Sequence, residues 1–410
     1  MDKKLKKAGI LLLVYLFICF IRLLSKDSMI NEVNTLIESK LKNFIISAVS
    51  DNIGILGFIH SNSSSGDFDL YEKLGQNTGY FAYLTEEKRE IELVLYDPNS
   101  SDKSNLYYSG QNENGGNPLT GNMGLQNGAA NNSSEGNTTD NEITEEMLNA
   151  NNGSIVYSKE QLSDFNFLYN NLYVVTERAK LLESDLNIDE LLNIDNTIKG
   201  GNSAPQILIY HTHSHEEFAD TTGVNTSNIV AVGTYLAEVL SKEYGYNVIH
   251  CIESFDEVNG VFDRSKAYTY ATPALEQILK DNPSIEVVLD IHRDGLKEGS
   301  PKLLTYINGK ATAKIMFFNG ISRNSNGEIG YLYNQYRKEN LALSLKMKLK
   351  AMELYPDFTR NNYVDAYQYN LHLRANSMLI EVGAQNNTFE EAKNAMEPLA
   401  EILDKILKGE

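Results

Sequence analysis

From Pro205 to its C-terminus the chain predicts an α/β fold: an open, mostly parallel sheet with covering helices. Two features predict it. Short apolar, β-branched runs alternate with longer stretches of helical periodicity. Histidines also gather just past the ends of two of those runs, where open α/β sheets place their ligand sites.

Taken in order, the candidate strands are Gln206–Tyr210, Asn247–Glu253, Ile285–Ile291, Ala313–Phe318 and Ser377–Val382. Each is short, apolar and rich in β-branched residues or leucine, as buried strands are. Between and after them lie candidate helices at Asn228–Glu243, Arg264–Lys280 (interrupted by Pro273), Arg337–Leu354 and Phe389–Leu407. Ahead of the first strand, Tyr157–Leu192 carries enough aromatic and aliphatic residues to pack on the sheet as an N-terminal lobe. The catalytic domain is therefore expected at residues 155–410. With 410 residues the chain has room for other parts besides this one.

Residues 98–153 are dominated by Asn, Gly, Ser, Thr and Asp, as in Asn131-Asn132-Ser133-Ser134. Too few apolar groups occur there to offset chain entropy, so the stretch reads as a flexible tether. About fifty-five residues of Gly-rich coil have a root-mean-square span of roughly 40 Å, which limits the reach of whatever is tethered. Residues 30–97 are apolar enough for a small unit whose role is not legible, and Glu32–Ser50 reads as an amphipathic helix.

The N-terminus has Lys3, Lys4, Lys6 and Lys7, an apolar run from Ala8 to Ile21, then Arg22 and Lys26. The run is near signal-peptide length, but no small-residue cleavage site follows it, and Arg22 can snorkel to the far interface. Residues 1–26 are therefore expected to form an uncleaved single-pass anchor in the cell membrane. Lysines before the run place the N-terminus in the cytoplasm and the catalytic domain outside it. Of the two cysteines, Cys19 lies in this segment, so Cys251 has no partner for a disulfide within the exported part. A formal net charge of −19 argues against nucleic acid as a partner, since phosphate backbones require a clustered positive surface.

Chemistry concentrates at the strand ends. His211, His213 and His215 follow the first predicted strand, and His292 follows the third. His213-Ser214-His215-Glu216 holds an H-x-x-E spacing, which lets an imidazole and a carboxylate meet one ion as the chain turns off a strand. His292 from another strand end completes two histidines and one carboxylate, with a fourth position open to water, the pattern of a catalytic zinc site. The H-E-x-x-H motif is absent, because Ala219 stands where its second histidine belongs. A base is also required, and Glu381 in the apolar run Met378-Leu379-Ile380-Glu381-Val382 is the best candidate, since an unpaired carboxylate there needs a polar cavity to face. Asp290 or Asp294 can fix the tautomer of His292. Arg293 is the nearby cation, suited to a substrate carboxylate, an oxyanion or a structural ion pair. His60, His250 and His372 stand apart and read as structural.

Three stretches, Gln206-Ile-Leu-Ile-Tyr-His-Thr-His-Ser-His-Glu216, Asp290-Ile-His-Arg-Asp-Gly295 and Leu379-Ile-Glu-Val-Gly-Ala-Gln-Asn-Asn-Thr388, together resemble the stage II sporulation protein P family. Asn228–Gly233 and Glu339–Ser344 add to the resemblance, which runs from about Tyr157 to Lys408. It implies a zinc N-acetylmuramoyl-L-alanine amidase fold of the phosphorylase/hydrolase-like kind. The implied activity cuts peptidoglycan between the glycan's lactyl group and the first stem-peptide residue, with endopeptidase action on cross-links attributed to the same domain. It further implies a role in sporulation engulfment, with stage II sporulation proteins D and M as partners. The H-x-x-E spacing favours His213 beside Glu216 and His292 as ligands of Zn2+, with His211 the alternate to His213, His211 and His215 otherwise behind the ligands or against substrate, and Glu381 as base. His215 departs from the family, where a neutral polar residue is expected. The ligand pattern alone does not name the bond that is cut, so a zinc carboxypeptidase and a non-catalytic wall-binding scaffold stay open as alternatives.

Overall fold

In the computed structural model, which describes residues 91–99, 106–108, 153–222, 227–258 and 260–410, nine strands join one sheet. They are β1 (Leu93–Tyr96), β2 (Leu106–Tyr108), β3 (Tyr173–Val175), β4 (Ile207–Tyr210), β5 (Val248–Cys251), β6 (Val287–Asp294), β7 (Ile315–Gly320), β8 (Asn362–Asp365) and β9 (Ser377–Ala384). Their order across the sheet is β2-β1-β5-β4-β6-β9-β7-β8-β3. β5, β4, β6 and β9 run parallel, as do β7, β8 and β3, while β7 opposes β9 and β1 opposes both β5 and β2. The sheet is thus mixed, open and mostly parallel.

Helices follow from the sequence pattern. α1 (Lys159–Ser163), α2 (Phe165–Leu172) and α3 (Ile188–Asn193) form the N-terminal lobe. α4 (Ile229–Lys242) starts where the Asn228 side chain accepts the Val230 and Ala231 N–H groups, which caps it. Its Ile229, Val232, Leu236, Val239 and Leu240 form one apolar stripe. That stripe packs with α6 (Arg337–Leu354) and α8 (Met396–Lys408) on one face of the sheet, against Ile207, Ile209, Leu289, Ile291 and Ile380. On the other face, α5 (Ala267–Asp281) lays Ala271, Leu275 and Ile278 on Leu208, Tyr210 and Val288. Alternate residues of the central strands thus serve two cores.

All five expected strands form, with ends shifted by a residue or a few, and Arg337–Leu354 is helical over the range expected. Three expectations need correction. The helix continues through Pro273, preceded by a 3-10 turn at Arg264–Lys266. The helix expected over Phe389–Leu407 breaks at Ala395 into α7 (Phe389–Asn394) and α8. Pro398 explains the break: restarting the helix at Met396 puts the proline in a first turn, where its missing N–H costs no intrahelical bond. The sheet also starts ahead of residue 155, because Leu93–Tyr96 pairs with β5 across the stretch read as a tether and with Leu106–Tyr108, which lies inside that stretch. The apolar run from Ala8 to Ile21, the Glu32–Ser50 helix, His60 and most of residues 98–153 lie outside the described residues. Among the described residues no helix is long and apolar enough to cross a membrane.

β8 and β3 are closed by one buried carboxylate. Asp365 accepts Arg178 Nε at 2.6 Å, Thr176 Oγ1 at 2.9 Å, the Ala366 N–H at 2.7 Å and the Tyr369 hydroxyl. Burial pushes its carboxyl up, but these donors outweigh burial and hold it below the ordinary value. A depressed carboxyl contributes stability above its unfolded pKa and loses it as pH falls through the folded one. Asp365→Asn is therefore expected to cost about 1–3 kcal/mol at pH 7 and to flatten the acid limb of stability, as urea unfolding at neutral and acidic pH will show.

Candidate metal centre

The chain leaves β4 toward β5 on one side and reaches β6 on the other, so the strand order reverses between β4 and β6. Crevices outside the carboxyl ends of strands at such a reversal are the ligand sites of open α/β sheets. The expected residues meet there. His213 and Glu216 come from the loop after β4, and His292 from the end of β6. One ligand atom from each lies within 4.8 Å of the others.

Their surroundings suit a cation. Glu216 is buried, accepts the Arg293 backbone N–H on Oε2 at 2.8 Å, and lies 3.4 Å from His292 Nδ1 and 3.7 Å from His213 Nδ1. Burial pushes its carboxyl up, yet His292, the Arg293 N–H and His213 bring it down to about 2, so it is a carboxylate. Burial, with His292 and Arg264 adding to it, lowers His213 to about 4, which leaves the imidazole neutral and able to ligate. The two rings stand at 87° with centroids 5.1 Å apart. Asp290 Oδ1 lies 2.8 Å from His292 Nε2, and Asp290 is fixed in turn by the Thr212 N–H at 2.9 Å and the Thr212 hydroxyl at 2.6 Å. The distance, without hydrogen-bond geometry at His292 Nε2, places Asp290 where a carboxylate can orient a ligating imidazole from behind. Two imidazole nitrogens and one carboxylate oxygen, converging within 4.8 Å of one another, fit a divalent ion of the zinc type, which would displace the proton that Asp290 and Glu216 favour on His292.

His211 goes elsewhere. It follows Tyr210 directly, so the alternation of β4 turns it to the α4 side, where it is fully buried. Its Nδ1 is 2.7 Å from Ile291 O, which can only accept, so Nδ1 carries the proton. The neutral ring then accepts at Nε2 from His250 Nε2 at 2.9 Å. Burial holds both rings neutral. The pair packs on Gly233 of α4, where a Cβ would stand 2.5 Å from His211 Nε2 and 3.0 Å from His250 Nε2. Gly233→Ala is expected to destabilise the fold by about 1–3 kcal/mol through overpacking, read as a lower urea midpoint at unchanged slope.

Glu381 sits on β9 in register with His292 on the parallel neighbour β6, so the two side chains share a face of the sheet. Its Oε2 is enclosed without a hydrogen-bond partner. Burial raises the carboxyl to about 8 despite the pull of His292, with Glu216, Asp294 and Asp290 pushing the same way. A bulge follows directly, with Gly383 at φ 62° over Asn387. Arg293 directs its Nε to Glu217 O at 2.9 Å, and its link to the centre is the backbone N–H on Glu216. Asp294 pairs with Arg360 at 2.6 Å. His215 bridges Asp256 and Glu257 at 2.8 and 3.1 Å. His372 is held neutral by burial, at about 4.

Two residues at the centre escaped the sequence reading. Arg264 Nη2 donates to Glu216 Oε1 at 2.6 Å. The Tyr268 ring stands edge-on to His213, centroids 5.9 Å apart. Both come from the start of α5 and its 3-10 lead-in, remote from any predicted strand end, and no spacing marks them.

Comparison with known proteins agrees with the motifs. Stage II sporulation protein P of Bacillus subtilis (strain 168) is 21% identical over 215 residues, 49% of this chain and 50% of that protein; the chain thus spans about half the length of the curated relative it matches. An N-acetylmuramoyl-L-alanine amidase from Clostridium difficile 630 is 17% identical over 51% of this chain and 97% of its own, at a TM-score of 0.31. A metallo-carboxypeptidase from Burkholderia cenocepacia is 12% identical over 51% and 59%, at 0.29. Superpositions that loose have no bearing on this chain's chemistry. The family model of stage II sporulation protein P, by contrast, matches residues 88–404 and so takes in β1, the whole metal centre and most of α8; the chain belongs to the stage II sporulation protein P family.

Proposed function

We propose that the chain is a metal-dependent peptidoglycan hydrolase that cuts the amide between the muramoyl lactyl group and the first stem-peptide residue, during engulfment in sporulation. The observation that supports this most directly is the convergence of His213, Glu216 and His292 in register with Glu381, one of whose carboxyl oxygens is enclosed and unpartnered. Family membership supports the wall as substrate. Zn2+ is the proposed ion, on the strength of the nitrogen and carboxylate donors. When bound, it supplies polarisation of the scissile carbonyl and acidification of the attacking water.

The protein's own residues do the rest. Asp290 keeps the His292 ring oriented, and the Arg293 N–H and Arg264 hold Glu216 in place. Glu381, in the ionised form that gains population as pH rises toward about 8, takes a proton from the water as the water oxygen attacks the carbonyl carbon, then returns it to the amine nitrogen as the C–N bond breaks. Tyr268 walls one side of His213. Endopeptidase action on cross-links, attachment through residues 1–26 with the catalytic domain outside the cell membrane, and partnership with stage II sporulation proteins D and M belong to the same proposal. They rest on the N-terminal sequence and the family.

Purified peptidoglycan digested with and without chelator tests the reading. The expected products are free stem peptides with a new L-alanine amino terminus, seen by mass spectrometry only when metal is present. Release of single terminal amino acids instead would make the chain a carboxypeptidase.

A further inference from the structure

Three arginines stand around the metal centre, and they differ in what holds them. Arg360 is closed into its pair with Asp294. Arg293 rests its Nε on the backbone oxygen of Glu217. Arg264 places its guanidinium on the ligand carboxylate itself while its side chain stays 42% exposed.

Arg264 is delivered there by a hairpin in which Glu257–Val258 pairs with Val261–Phe262 and the Asp263 N–H closes the base on Asp256 O at 2.8 Å. The base is clamped to the ligand loop by His215, which spans Asp256 and Glu257, and by the Ser214 hydroxyl on Asp256 Oδ1 at 2.7 Å. The Phe262 ring stands against His215, yet Phe262 and Val261 remain 55% and 65% exposed. The hairpin therefore presents two apolar side chains and a guanidinium beside the metal ligands.

Charge then selects what that guanidinium does. The chain carries a formal −19, and the centre is ringed by Glu216, Asp290, Asp294 and Glu381. An anionic stem peptide needs a cation to approach such a surface. A guanidinium has five N–H donors in a planar fork, and among the described residues Glu216 engages one of its nitrogens. Two residues of extended chain reach at most about 7 Å, so a guanidinium seated on a ligand carboxylate is within reach of a charge two residues along a peptide whose amide lies at the metal.

We propose that Arg264 is a specificity residue that binds the free α-carboxylate of the second stem-peptide residue, an inference that rests on the amide-hydrolase reading and names the peptide it prefers. The test uses the zinc-loaded full chain and two soluble muropeptides, identical except that this carboxylate is free or amidated. The parent is expected to favour the acid by about 10–100-fold in kcat/KM, mostly through KM, as a charge-assisted pair allows. Arg264→Gln is expected to bind zinc about 10–100-fold more weakly and, assayed at saturating zinc, to bring the two values to within about threefold, with Arg264→Lys between, because a point charge lacks the fork. Calorimetric binding of the corresponding free dipeptides, acid and amide, should follow the same order. A preference that Arg264→Gln leaves unmoved, or both substrates falling together at saturating zinc, overturns the proposal and leaves Arg264 a support of Glu216. A parent that cuts neither muropeptide overturns the amide-hydrolase reading instead.

Discussion

A Glu381→Gln variant is expected to retain its metal and to release stem peptides about 10²–10⁴-fold more slowly than the parent, the range that a positioned general base contributes. Glu381 pairs in register with His292 and keeps one oxygen enclosed and unpartnered, which is costly unless function requires it. Glutamine preserves the shape and removes the proton acceptor, so the loss should appear in kcat with KM little changed. Unfolding should be unaffected or slightly harder, because the amide need not take up a proton on burial, as a carboxyl raised to about 8 must at neutral pH. A variant as active as its parent would show that Glu381 is a buried carboxyl without a part in the reaction.

The second large effect concerns the ligands. His292→Ala is expected to abolish metal binding at micromolar concentration, and hydrolysis with it. Loss of a partner behind a ligand already costs 10–100-fold in metal affinity, and His292 is both a ligand candidate and the ring that Asp290 orients. His211→Ala serves as the contrast. It should lower stability, since it removes the contacts that His250 Nε2 and Ile291 O make with the His211 ring, while the protein that remains folded still binds one ion. Metal content by mass spectrometry separates the two variants, and retention of full metal by His292→Ala would remove His292 from the centre.

The sheet that carries the centre was legible in the sequence because its central strands hold continuous apolar runs, Ile207–Tyr210 and Val287–Leu289 among them, buried on both faces. The convergence of His213, Glu216 and His292 was legible for the same reason, as residues past strand ends share one crevice. The choice between His211 and His213 was not. It depends on which face of β4 the first residue beyond the strand takes, and on whether His250, a strand away, is there to receive it. Asn362–Asp365 was missed as a strand because four residues flanked by polar loops carry no period. Leu93–Tyr96 was assigned to a separate unit because the Asn- and Gly-rich stretch after it reads as a boundary, and pairing with β5 across that stretch leaves no local trace. Arg264 reaches Glu216 across 48 residues of chain, a contact set by how α5 packs on the sheet rather than by any motif.

Cleavage of the muramoyl amide is proposed to require His213, Glu216 and His292 to hold one ion between them. Titrating metal-depleted protein with zinc, while following bound metal and stem-peptide release together, tests it most directly. Release should rise in proportion to bound zinc and level off at one ion per chain. Full release from protein stripped of metal, or none from folded protein carrying one zinc per chain, would contradict it.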